Sequence, residues 1–165
     1  LECTFRKCQF SSTTFERCTF EDCRFEDCEL SLFVPDDSSL QGVNFLRCKV
    51  DGVDWSRANA LGFDVRFVES RLDYSSFSGM RLQGLHILES TAIETVFSHV
   101  DLSRASFDGT DLAGAVFEGA TLTDTDFRQA KNLFISSTTN TVKRTKISLE
   151  TALAQISQLG FEVSV

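Results

Sequence analysis

Six cysteines, two histidines and a dense set of carboxylates are the residues of this chain with chemistry to offer. Thiols and imidazoles raise zinc binding first. Zinc sites usually space their ligands as CxxC or HxxxH, and neither spacing occurs among Cys3, Cys8, Cys18, Cys23, Cys28, Cys48, His86 and His99. A phosphate loop, GxSxG and HExxH are also absent. Serine, histidine and aspartate are all present, but a triad needs converging geometry and a cleft. The expectation is no enzyme, no metal and no cofactor. What remains is charge: Glu16, Glu21, Asp22, Glu26, Asp27 and Glu29 crowd one short stretch against Arg17 and Arg24.

The cysteines follow a rule that extends beyond them. Phe5, Phe10, Phe15, Phe20, Phe25 and Leu30 stand five apart, and two residues before each sits Cys3, Cys8, Thr13, Cys18, Cys23 or Cys28. A period of five fits neither a helix at 3.6 nor a strand at 2. A short fixed repeat marks a solenoid. The spacing continues through Pro35, Leu40, Phe45, Val50, Trp55 and Ala60, slips by two residues, and resumes from Phe67 to Phe127. Small residues such as Ser38, Val43, Cys48, Ser70 and Ala105 keep the second position. The cysteines therefore do the work of alanine, serine and valine elsewhere, as small buried residues.

The copies VDLSR (100–104), TDLAG (110–114) and TDFRQ (125–129) resemble the A(D/N)Lxx repeat of the pentapeptide-repeat family. That resemblance implies an all-β, right-handed quadrilateral parallel β-helix with four repeats per coil. The centre and the small residue would point inward and the other three outward. At twenty residues per coil the repeat of residues 1–130 gives roughly six coils and a rod near 30 Å at a ~4.8 Å spacing. Cysteines twenty apart would then stack with side chains running parallel, a poor geometry for a disulfide. Buried reduced thiols favour a cytoplasmic location.

Three interruptions carry the remaining expectations. At 31–39, Pro35 takes a centre position and Asp-Asp-Ser-Ser favours a turn; a loop bulging from the rod is expected, with Phe33, Val34, Asp36 and Asp37 available to a partner. At 60–66 the phase breaks, and Gly62 allows a jog between two stacks. Residues 131–165 read as a C-terminal cap and dimerisation segment, with 131–147 irregular and a short C-terminal α-helix over 149–159. Ser148 would cap that helix and Gly160 would end it. Leu149, Ala152, Leu153, Ile156 and Leu159 form one apolar stripe, followed by Phe161 and Val163 alternating like a strand.

The join at 60–66 is similar to that of Qnr proteins, and EDCRFEDCEL with the C-terminal layout resembles the microcin B17 immunity type. Both resemblances imply a homodimeric DNA mimic that binds DNA gyrase or topoisomerase IV and protects it from quinolone or peptide-toxin poisons. The partner face would be the loop with the acids Glu16, Glu21, Asp22, Glu26 and Asp27. An interaction scaffold with an unrelated partner is the alternative. The net charge of −8 argues against direct nucleic acid contact and against an anionic membrane. A dimer would carry −16 over about 60 Å, one charge per ~4 Å against one per ~1.7 Å for DNA. No signal peptide is visible; the chain starts inside a repeat without Met, so the expectation is an N-terminus that is trimmed or lacks residues before Leu1.

Overall fold

The computed structural model describes residues 2–162. Seven short strands wind into a parallel β-solenoid: β1 Thr4–Arg6, β2 Thr19–Glu21, β3 Arg24–Glu26, β4 Ser39–Gln41, β5 Val43–Leu46, β6 Val65–Val68 and β7 His86–Leu88. A helix, α1 Leu149–Gln158, follows the last coil. Every pairing is parallel, with Phe5 beside Phe25, Phe25 beside Phe45, Phe45 beside Phe67 and Phe67 beside Ile87. The sheet β1-β3-β5-β6-β7 spans four turns, and single bridges from His86 to Ser106, Asp126 and Lys146 add three more. The coil count thus departs from the expected six, because the ladder runs on through a segment whose repeat is illegible in sequence. Seven steps of ~4.8 Å make a rod of roughly 34 Å.

The centre residues from Phe25 onward, Ala60 excepted, fill the interior. Phe45, Phe67, Phe77, Phe97, Phe107 and Phe127 are all at most 1% exposed. Their rings stack rung on rung: Phe25–Phe45 at 5.1 Å, Phe45–Phe67 at 5.0 Å and Phe77–Phe97 at 5.3 Å, with interplanar angles of 14°, 13° and 2°. The small residue supplies a hydrogen bond. Thr110 Oγ1 donates to the Ile87 carbonyl at 2.7 Å, Thr125 Oγ1 to Leu102 at 2.8 Å and Ser38 Oγ to Phe15 at 2.8 Å. Cysteine does the same less closely, with Cys48 Sγ 3.3 Å from the Phe25 carbonyl. The small residue that opens each repeat thus satisfies a buried acceptor one coil away. Corners such as 10–13 and 102–105 close with an amide bonded to the centre carbonyl three residues back, and the third residue, Ser12 or Arg104, has φ of 57° or 62°. A positive φ at that place is the type II turn geometry.

Residues 31–39 do not bulge. Phe33 is 3% exposed, Pro35 is buried, Val34 bridges Thr14, and Ser39 pairs with Thr19. The missing amide of Pro35 is tolerated for a reason outside its own segment. By the rule of its neighbours it would donate to the Asp54 carbonyl nineteen residues on, as Phe15 does to Val34. Asp54 instead caps a 3-10 turn, Trp55–Arg57, and its carbonyl accepts from Arg57 at 3.4 Å.

The phase break is a splice between coils. Ladder spacing is twenty from Glu29 to Lys49, twenty-two from Lys49 to Arg71, and twenty again from Arg71 to Thr91. Ala60, expected inside, is exposed; Phe63 takes the inner place, its ring 6.0 Å from Trp55. The faces centred on Phe5 and Phe10 keep unbroken ladders past this point. On the other two faces, no backbone hydrogen bond joins 33–36 to 53–56 or 56–63 to 77–84 among the described residues. The 131–147 segment is likewise not irregular throughout: Lys131, Thr141 and Lys146 bridge Asp111, Thr121 and Asp126.

Candidate partner-binding surface

Consecutive repeats face different sides of the rod, so residues 16–29 wrap around it. Only residues about twenty apart share a face. The acids expected to form one patch are therefore dispersed, and a cation waits one coil away for Glu26, Asp27 and Glu29. Glu26 is 8% exposed and pairs with Arg6 at 2.7 Å and Arg24 at 3.3 Å. Asp27 pairs with Arg47 at 2.7 Å, Glu29 with Lys49 at 3.3 Å and Asp36 with Arg57 at 2.8 Å. Glu16 meets its neighbour Arg17 at 2.7 Å. The Arg6 guanidinium bonded to Glu26 holds its carboxyl below the usual range against desolvation, and Arg47 does so for Asp27.

Of the expected partner residues, Phe33 is core, edge-on to Phe15 and Trp55 at 5.8 and 5.3 Å. Val34 is half-buried and Asp37 exposed with φ of 49°. Glu21 and Asp22 form no ion pair among the described residues. Asp22 lies over Gly42, which has φ of 63° and where an added Cβ would collide with Asp22 Oδ1. The structure brings none of these into a single site.

Sequence reasoning missed a groove along the corner between the Phe5 and Phe10 faces, with a volume of about 490 Å³. Asp27, Arg47, Glu69 and Glu89 form one wall, Glu29, Lys49, Arg71 and Thr91 the other, over Cys28, Cys48, Ser70 and Ser90. Its first half is neutralised by ion pairs. In its second half Glu69 and Glu89 make no ion pair among the described residues, and Thr91 Oγ1 has no hydrogen-bond partner. The signal was available as charges twenty or twenty-two residues apart. The cysteines at its floor are inert: burial pushes the Cys48 thiol up to about 12 and raises Cys28 also.

At the other end, α1 is capped by Ser148 Oγ, which accepts from the Thr151 amide at 3.0 Å. Ala152 and Leu153 are half-buried, but Leu149, Ile156, Leu159 and Phe161 are 76%, 40%, 73% and 64% exposed. Val163 lies outside the described residues. A small cavity of about 300 Å³ between the helix and the last coil is lined by Ile135, Val142, Ile147 and Gln155 among others.

Two sequence families match this chain. "Pentapeptide repeat region" covers residues 1–77, and "Pentapeptide repeats (8 copies)" covers 93–131. The chain belongs to the pentapeptide-repeat family. Two trypsin-treated forms of QnrB1, a plasmid-mediated fluoroquinolone resistance protein, share the fold of this pentapeptide-repeat rod. Their TM-scores are 0.63 and 0.62, at 21% identity, over 98% of this chain and 87% of theirs. Full-length QnrB1 aligns with a TM-score of 0.53 at 15% identity, over 96% of this chain and all of that one. Comparison with curated proteins gives no match. A likeness at these identities establishes the pentapeptide-repeat β-helix and leaves activity to the chemistry of the surface.

Proposed function

We propose that this protein binds a type II topoisomerase of the DNA gyrase kind and protects it from a quinolone or peptide-toxin poison. The observation that carries this reading is the likeness to QnrB1 along nearly the whole of both chains. Two further features support it. Residues 1–130 hold twenty-two acidic against twelve basic residues, a net −10. The exposed apolar side chains of α1 and Phe161 suit a closed two-fold dimer joined at the C-terminal ends. Two rods in line would span roughly 70 Å at the ~4.8 Å coil spacing. A net −16 over that length is one charge per ~4 Å, against one per ~1.7 Å in DNA. The mimicry is partial. Charge serves to steer the encounter, and outward side chains supply specificity. The partner is thus a protein, neither nucleic acid nor membrane, and the protein is no enzyme. The buried thiols of Cys23, Cys28 and Cys48 fit a reducing cytoplasm.

Supercoiling by gyrase with a fluoroquinolone, over three decades of added protein, tests the reading. Restored supercoiling and direct binding support it; neither appearing at any concentration overturns it. The flat course of 31–39 favours a second reading, a scaffold for an unrelated protein, since no loop protrudes there to grip an enzyme. Recovery of one non-topoisomerase partner by pull-down would establish that alternative.

A further inference from the structure

The middle of the Phe5 face differs from its ends. The outward column just after the centres reads Arg6, Glu26, then Leu46, Val68, Leu88, then Asp108, Arg128. Three half-buried apolar side chains therefore stand on consecutive rungs, on the flat part of the sheet formed by β5, β6 and β7. On one side lie Arg66 and His86, both exposed; on the other lie Glu69 and Glu89, also exposed. Arg66, Glu69 and Glu89 make no ion pair among the described residues, whereas Arg24 and Asp27, two rungs before Arg66 and Glu69, are paired. At the Val68 and Leu88 rungs the strip has an apolar centre, one margin of Arg66 and His86 and an anionic margin of Glu69 and Glu89, none of them in an ion pair among the described residues. At the Leu46 rung the margins are Asn44 and Arg47, and Arg47 is paired with Asp27.

We propose that this strip is a docking surface for an amphipathic α-helix of a partner protein, lying along the rod with one acidic and one basic flank. Periodicity selects a helix over a strand. Apolar residues alternating three and four apart advance about 5.2 Å per contact in a helix, within about 0.5 Å of the ~4.8 Å rung spacing. Same-face residues of an extended strand advance about 6.7 Å and lose register after one rung. Charge fixes direction: the acidic flank lies over Arg66 and His86, the basic flank over Glu69 and Glu89. The proposal rests on the reading of this chain as an interaction protein, and it holds whether or not gyrase is the partner.

Three fluorescent 15-residue peptides test it, each with leucines at three- and four-residue spacing. One carries glutamates on one flank and lysines on the other; the second has glutamates on both flanks; the third has lysines on both. Anisotropy should show the mixed peptide binding at least tenfold tighter than either uniform one at low salt. Val68→Lys should weaken it at least tenfold. In the Glu69→Lys, Glu89→Lys double variant the anionic margin becomes cationic, and the all-glutamate peptide should become the preferred probe. Trp55 fluorescence verifies that each variant is folded. Equal binding of the three peptides overturns the proposal, as does a Val68→Lys protein that binds like wild type. Gyrase rescue failing while the mixed peptide binds would remove the topoisomerase reading alone.

Discussion

Phe97 is the sharpest test of the stacked-ring architecture. Its side chain is 0% exposed and lies between Phe77 at 5.3 Å and Phe117 at 5.1 Å, nearly parallel to both, with Phe107 edge-on at 5.6 Å. Truncation to alanine should cost about 3–5 kcal/mol, as for other buried phenylalanines. The upper end is expected, because the rungs above and below are held by backbone bonds and cannot collapse into the void. Each stacked pair lost is worth about 0.5–1.5 kcal/mol beyond area. Phe5 occupies the equivalent place at the first rung, half-buried, with one stacked neighbour at 4.8 Å. Phe5→Ala should cost about half as much on the same scale. Urea unfolding followed by Trp55 fluorescence reads both, since Trp55 is the sole tryptophan and stacks on Phe77 at 5.6 Å. In a solenoid, stability is a sum of coil and neighbour terms. A midpoint shift for Phe97→Ala no larger than for Phe5→Ala would refute the ladder as the main source of stability.

Three other outcomes follow from the geometry. Thr110→Val leaves the Ile87 carbonyl without its 2.7 Å donor and should cost about 1–3 kcal/mol, while Cys48→Ser, which keeps a donor, should cost under ~1 kcal/mol in the same assay. Arg144 holds Asp124 below the usual carboxylate range, so that ion pair is present at neutral pH and is lost as pH falls below about 4; the acid limb of the melting temperature should flatten in Asp124→Asn. At pH 8 thiol reagents should modify exposed Cys3 first and leave Cys23, Cys28 and Cys48, at 2–3% exposure, untouched until urea unfolds the rod, as mass mapping would show.

Wherever the repeat is strict, the five-residue spacing together with the family resemblance placed Phe25, Phe45 and Phe107 inside and the cysteines beside them. It failed where the deciding partner lies a coil away. Pro35 looked like a breaker because its missing amide was judged within its own segment; the Asp54 carbonyl, nineteen residues on, is engaged by Arg57 and needs no donor. Glu26 and Asp27 looked like free surface charge because Arg6 and Arg47 stand twenty residues from each. Ala60 kept the spacing yet lies outside, since Phe63 fills the interior better. Lys131, Thr141 and Lys146 have no repeat residue to betray them, and only their bridges show that the coil continues. In each case the unit of cooperation is the coil, and a window of five cannot see it.

The splice near Trp55 can be put in the terms of a crystal lattice. Two extra residues enter one layer, two sides of the rod continue without noticing, and the other two sides lose registry: this is an edge dislocation, with Phe63 and Trp55 at its core. A dislocation concentrates compliance. The Phe5 and Phe10 faces act as the stiff side of a beam, and bending is confined to one level, marked on the opposite side by Leu61 at 81% exposure. A partner that must curve the rod would meet the least resistance there, and a partner that reads a straight rod would seat on the unbroken faces.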